Sequence, residues 1–148
     1  MIALTKNGLQ TREGVPVVVS TKKWTKQTVP RGKFAVYDAS FAVLDDIRFV
    51  LEKGFCQMVV GLERRRESDF MHQFASGFNH IHARFCAKHG IIVGFVFEDV
   101  LKDRAFGRMA HILRLCEKYG VSYTCVSFSG LPLHEPDILC LFSLLLQK

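Results

Sequence analysis

The chain of 148 residues carries a formal net charge of +6, and 49% of its residues are hydrophobic, which suits one domain spanning residues 1–148 with a sizeable core. No apolar run approaches the roughly 18 residues of a membrane span, and the first residues lack a secretory signal. The number of cysteines is odd and none forms a C-x-x-C pair, which argues against a disulfide framework or a zinc knuckle. We therefore expect a protein of the reducing cytoplasm (or of the nucleus in a eukaryote) without a membrane partner.

The excess positive charge lies in the first quarter of the chain. Seven basic residues and one acid occur up to Lys33, whereas 13 basic and 13 acidic residues follow it. We predict that residues 1–32 form a basic N-terminal segment that attracts a polyanion, most commonly a nucleic acid; the alternative is a solvated tail. Trp24 among lysines adds a stacking surface to the charge. The candidate RNA-binding residues here are Lys22, Lys23, Trp24, Lys26, Arg31 and Lys33.

In chain order, the apolar pattern predicts strands that alternate with amphipathic helices. Continuously apolar strands that alternate with helices predict an α/β fold with a parallel sheet. Ser40 and Ser76 are the predicted N-caps of the first two helices. The predicted strands are 16–20, 33–38, 56–61, 69–72, 91–97 and 121–127, and the predicted helices are 41–53, 77–89, 105–119 and 136–147.

A helix–glycine–strand unit recurs along the chain. Residues 84–97 and 114–128 align at a spacing of 30 residues, and residues 48–61 form a weaker third copy. In each copy an amphipathic helix ends in a basic last turn that suits its dipole. A glycine that can adopt the left-handed C-cap conformation follows, and then a short apolar strand.

Three of the six histidines lie within residues 76–90. Because the apolar spacing there is helical, His80 and His82 point about 200° apart and cannot share a metal ion; only on a strand would both rings face one side. His89, in the last turn, is interpreted as a dipole-capping residue, and His82 as a hydrogen-bonded residue at the core boundary. We expect neither a metal site nor a catalytic residue in this stretch.

Glu98 and Asp99 follow a predicted strand, where barrel enzymes keep their chemistry. The favoured interpretation is that they cap the N-terminus of a following short helix. The chain contains no G-x-S-x-G, Walker or G-x-G-x-x-G motif.

The segment SGFNHIHARFCAKHGIIVGFVFEDVL, residues 76–101, resembles the signature region of ribonuclease P protein component 3, the thirty-kilodalton-type subunit of archaea and eukaryotes. Ser76, Gly77, Asn79 and His80 match its Ser-Gly-x-Asn-His motif. The stretch RMAHILRLCEKYGVSYTCVSFSG is similar to a later helix and strand of the family, LHEPDILCLFSLL to its closing helix, and KFAVYDAS to its opening strand. The resemblance covers about residues 33–146.

The resemblance implies a (β/α) barrel of the TIM/PHP-like type, shortened because the stretch between the family's second and fifth strands is absent. It also implies a protein subunit that supports the catalytic RNA of ribonuclease P in removing the 5′ leader of precursor tRNA. The implied partners are the ribonuclease P RNA, precursor tRNA, the ferredoxin-like subunit (component 2) and other holoenzyme proteins. The protein would bind no cofactor, because the RNA uses the magnesium, and it would have no activity alone.

Further candidate RNA-binding residues are Arg64, Arg65, Arg66, Ser76, Asn79, His80, Arg104 and Arg108. The basic pair that the family places before Ser-Gly is replaced here by Phe74 and Ala75. Two alternatives stay open: a metal-dependent phosphoesterase of a related barrel superfamily, and a generic RNA-binding module.

Overall fold

A computed structural model describes residues 9–10, 16–21, 26–28, 32–64, 68–69, 71–72, 76–99, 105–127 and 134–147. These residues form a six-stranded sheet and four α-helices. The strands are β1 (Leu9–Gln10), β2 (Pro16–Ser20), β3 (Phe34–Asp38), β4 (Met58–Val60), β5 (Ile92–Val96) and β6 (Tyr123–Val126). The helices are α1 (Leu44–Lys53), α2 (His80–His89), α3 (Ala105–Tyr119) and α4 (Glu135–Leu145).

The strands lie in the sheet in the same order as in the chain. Strands β2 to β6 are parallel, and β1 pairs antiparallel with β2. The predicted α/β fold with a parallel sheet is therefore confirmed, and the predicted bounds of β2 and α3 agree with the structure. Strand β1 was not predicted, because two residues are too few to show a periodicity. The predicted strand at 69–72 is wrong, since Asp69 lies outside a strand and residues 71–72 form a turn.

Helix α1 begins later than the sequence predicts. The Ser40 hydroxyl donates a hydrogen bond to Asp38 Oδ1 at 2.5 Å, and the same oxygen accepts the Ser40 backbone N–H at 3.0 Å. The side chain of Ser40 is thus hydrogen-bonded to the last residue of β3 and does not cap a helix. The N-cap is Val43, whose side chain makes no capping bond. Asp45 and Asp46 in the first turn instead place negative charge at the positive end of the helix dipole, which stabilises the helix.

The two faces of the sheet have different neighbours. In β5, Val93 and Phe95 belong to the large core that includes buried residues of all four α-helices. Their neighbour Val96 points to the opposite face and packs with side chains of other strands. This alternation follows from the two-residue period of a strand. Among the described residues, all four helices therefore cover one face of the sheet.

Helix α4 packs on the core along one side. Its residues Ile138, Leu141 and Leu145 are buried, whereas Leu139 and Leu144 are 59% and 48% exposed. The nearly all-apolar sequence of this helix is therefore covered on only one face by the described residues. None of the helices in the described part of the chain is long and apolar enough to cross a membrane.

Candidate functional site

The Ser-Gly-x-Asn-His segment forms the turn that starts α2. Ser76 is fully buried, and its hydroxyl oxygen accepts the Phe78 backbone N–H at 3.3 Å. Gly77 has a φ of 69°, which favours glycine. Asn79 is the N-cap, because its Oδ1 accepts the N–H groups of Ile81 at 2.9 Å and His82 at 3.1 Å. The prediction that Ser76 caps this helix is therefore wrong.

The histidines of α2 do not converge. His80 is exposed, whereas His82 is 4% exposed and its ring lies 6.2 Å from that of Phe78. The predicted divergence of these two rings is confirmed. The ring of His89 hydrogen-bonds through Nε2 to the Glu52 carbonyl oxygen at 2.9 Å. His89 thus lies in the basic last turn of α2, as predicted, and its ring also satisfies a carbonyl group at the C-terminal end of α1.

Polar side chains follow four neighbouring strands at the carboxyl edge of the sheet, and we call Ser40, Glu63, Arg64, Glu98, Asp99 and Ser127 the carboxyl-edge network. Ser40 follows β3, Glu63 and Arg64 lie in a 3₁₀ turn after β4, Glu98 and Asp99 lie in a 3₁₀ turn after β5, and Ser127 follows β6. Parallel strands bring their carboxyl ends to one edge, where α/β proteins bind ligands.

Two pairs of this network bind across strands, and Glu63 bonds to the backbone of β5. Glu63 Oε1 accepts the Val96 backbone N–H at 2.8 Å, which joins the turn after β4 to the end of β5. The Ser127 hydroxyl donates to Glu98 Oε1 at 2.5 Å. Arg64 Nε lies 2.9 Å from Asp99 Oδ2. Glu98 and Asp99 themselves lie in the 3₁₀ turn Phe97–Asp99, and the prediction that they cap a following short helix stays a prediction, because residues 100–104 lie outside the described residues.

A second ion pair anchors α3 close to this edge. Arg108, 3% exposed, donates from Nε and Nη2 to Asp69 Oδ1, both at 2.8 Å. Helix α3 also contacts the 3₁₀ turn Leu62–Arg64. Arg108 therefore holds α3 against residues 68–69, and its burial removes the guanidinium from the surface on which an RNA phosphate would bind.

The buried ionisable groups are not arranged for metal or thiol chemistry. No group of three His, Cys, Asp or Glu side chains in the described ranges is placed to hold a metal ion. Burial raises the pKa of the Cys56, Cys116 and Cys125 thiols to about 12, which keeps them protonated and weakly nucleophilic at neutral pH.

Glu63 is the carboxyl group whose pKa is most clearly tied to its surroundings. It is 3% exposed, and no described residue forms a hydrogen bond with its Oε2. Burial raises the pKa of Glu63 to about 7; the Val96 N–H bond opposes this rise, and the negative charge of Asp99 adds to it. Because Glu63 is buried, its protonation affects the stability of the fold, and its carboxyl group is not exposed for contact with a substrate.

We expect the stability of the folded chain to fall as the pH rises from about 4.5 to about 7. In this window the folded state keeps the Glu63 proton that the unfolded state has lost, so raising the pH favours unfolding, by an amount on the order of 3 kcal/mol in full. The Glu63→Gln variant keeps an acceptor for Val96 N–H and should lose this dependence. Urea unfolding at several pH values measures it, and identical pH profiles for both proteins would contradict the prediction.

The structure separates the candidate RNA-binding residues that it describes. Lys26 and Lys33 are exposed and precede the amino end of β3, whereas Arg64 lies at the carboxyl edge and Asn79 and His80 lie at the start of α2. These residues do not form one cluster. The candidates Lys22, Lys23, Trp24, Arg31, Arg65, Arg66 and Arg104 lie outside the described residues.

Sequence reasoning missed the role of Glu63 and of the Arg108–Asp69 pair. The signal available in the sequence was the position of these carboxylates just after predicted strands. Glu63 comes three residues after β4 and Glu98 two residues after β5. Polar groups at such strand ends meet at one edge of a parallel sheet. The partners themselves lie 33 and 39 residues apart in sequence, which no local pattern indicates.

The sequence matches no protein-family model, and a search of curated proteins finds no match to it.

Proposed function

We propose that this chain is a protein subunit of ribonuclease P, which binds and supports the catalytic RNA in removing the 5′ leader from precursor tRNA. Its fold would be a shortened (β/α) barrel of the TIM/PHP-like type. Its partners would be that RNA, precursor tRNA and the ferredoxin-like subunit, with other holoenzyme proteins. Magnesium would belong to the RNA.

The observation that carries the proposal is the turn at the start of α2. The residues that match the family motif have separate structural tasks here: Ser76 and Gly77 shape a turn and Asn79 caps the helix. The helix then leads through Gly90 into the buried strand β5. The motif thus occurs with the helix–strand context that the resemblance implies, and that context supports the assignment.

Two further features favour a subunit that assists the catalytic RNA over a metal-dependent phosphoesterase. One oxygen of each carboxylate at the edge where a barrel enzyme would bind its metals is engaged, with Val96 N–H, Ser127 or Arg64. Strands in chain order with the helices on one face also suit a barrel-type sheet better than a doubly wound one.

The test is reconstitution of ribonuclease P RNA and the ferredoxin-like subunit with and without this chain. We expect the chain to lower the magnesium concentration at which precursor tRNA is cleaved. The control is the chain alone, free of RNA, which should hydrolyse neither precursor tRNA nor a model phosphodiester. Metal-dependent hydrolysis by the pure protein would overturn the proposal and favour the phosphoesterase.

A further inference from the structure

The helix–glycine–strand repeat gives three helices the same orientation. Helices α1, α2 and α3 end at Gly54, Gly90 and Gly120, whose φ angles are 66°, 66° and 68°. The residue four positions before each glycine is fully buried in the core: Val50, Cys86 and Cys116, each 0% exposed. Because the same position faces the core in all three helices, residues at any other shared position face a common direction.

Each repeat places an arginine six residues before its glycine. These residues, Arg48, Arg84 and Arg114, are all exposed, and we call them the arginine row. In the described part of the chain, no acidic group lies within ion-pair distance of any of the three. Their charges are therefore exposed and are not neutralised by a carboxylate of the described residues.

Helices α1, α2 and α3 lie side by side. The residue before the glycine makes the link each time. His89 of α2 bonds to the Glu52 carbonyl oxygen of α1 at 2.9 Å, and the ring of Tyr119 in α3 lies 5.7 Å from the Arg84 guanidinium of α2. Neighbouring packed helices are about 8–10 Å apart, so the arginine row spans roughly 20 Å.

The helix dipole does not account for this row. Its favourable effect on a cation is confined to the last turn, where Lys53, Lys88 and Lys118 already lie. The arginines lie more than a turn before the helix ends. Residues 48–53, 84–89 and 114–119 together contain six lysines and arginines against two acids, Glu52 and Glu117. The surface formed by these three segments therefore carries more positive charge than the dipoles of the helix ends account for.

We propose that the arginine row binds the phosphate backbone of RNA across α1, α2 and α3. A guanidinium presents a planar fork of donors that matches phosphate oxygens, and evenly repeated cations suit an evenly repeated polyanion. This inference rests on the proposed function and deepens it. It adds an RNA contact surface on the helical face of the sheet, separate from the basic N-terminal segment and from the turn at Ser76.

The test uses the full chain and a labelled precursor tRNA transcript, with binding measured over a series of salt concentrations. The variant Arg48→Gln, Arg84→Gln, Arg114→Gln should flatten the slope of log affinity against log salt by about 2 to 3, since each phosphate contact contributes roughly 0.7–0.9. The Arg→Lys triple variant keeps the charges and should keep most of the slope. Unchanged thermal unfolding of both variants shows that these exposed sites do not alter the fold.

A charge-compensated variant separates the row from net charge. Adding Glu13→Gln, Glu67→Gln and Asp103→Asn to the glutamine triple restores the wild-type net charge of +6 with changes that lie outside α1, α2 and α3, and the slope should stay flattened. Recovery of the slope in this variant, or wild-type binding by the glutamine triple, would overturn the proposal that the arginine row binds RNA. Either result would leave the proposed function in place. Failure of the wild-type chain to bind RNA would overturn both.

Discussion

Replacing Arg108 by methionine should lower the free energy of unfolding by about 3 kcal/mol. Arg108 is 3% exposed and the Asp69 side chain 20% exposed, and two guanidinium nitrogens lie 2.8 Å from the same carboxylate oxygen. The variant keeps an apolar stem of similar length, but it removes both bonds from the guanidinium to the partly buried Asp69 carboxylate. Urea unfolding followed by circular dichroism measures the change.

The matched control is Arg114→Met, which removes an exposed arginine from the same helix and should change stability by at most about 0.5 kcal/mol. The double variant Arg108→Met, Asp69→Asn should lose less stability than the two single losses added together, because both single variants break the same ion pair. Equal losses for Arg108→Met and Arg114→Met would show that the buried pair adds nothing to stability.

Removing five positive charges around the start of the sheet should weaken RNA binding strongly. The variant changes Lys22, Lys23, Lys26, Arg31 and Lys33 to glutamine, which lowers the net charge from +6 to +1. If these side chains contact phosphates, the slope of log affinity against log salt should fall by about 3.5 to 4.5. Substitution is preferable to deletion of residues 1–32, because β2 lies in that segment and pairs along β3.

Trp24→Leu is the companion variant, since it removes an aromatic ring and keeps every charge. It should weaken binding by roughly 1–3 kcal/mol if a base stacks on the ring, with the salt slope unchanged. A five-charge variant that keeps the wild-type slope would show that the basic N-terminal segment is only solvated.

The sequence predicted the elements better than their boundaries. Apolar runs such as 91–97 and helical spacing such as 105–119 indicate buried strands and helices directly, because burial on a strand or a helix imposes those periods. Serine at 40 and at 76 suggested two N-caps. Both hydroxyls instead bond locally, to Asp38 and to the Phe78 N–H, and this competition between short-range bonds is invisible in residue type alone.

The carboxyl-edge network was harder to predict than the fold. The position of Glu98 and Asp99 at a strand end pointed to the correct edge, but their partners came from elsewhere: Ser127 for one and Arg64 for the other. Such pairs form because distant turns are brought to one edge by the sheet. A single sequence therefore indicates where the polar groups gather but not which of them will bind.

The agreement between strand order and chain order has a consequence for how the molecule is made. Each parallel strand from β3 to β6 pairs with the strand that precedes it in the chain, so no pairing has to wait for a distant segment. On the ribosome, each new helix and strand can dock on the edge left by the previous unit, and the sheet can grow from its N-terminal side while synthesis continues.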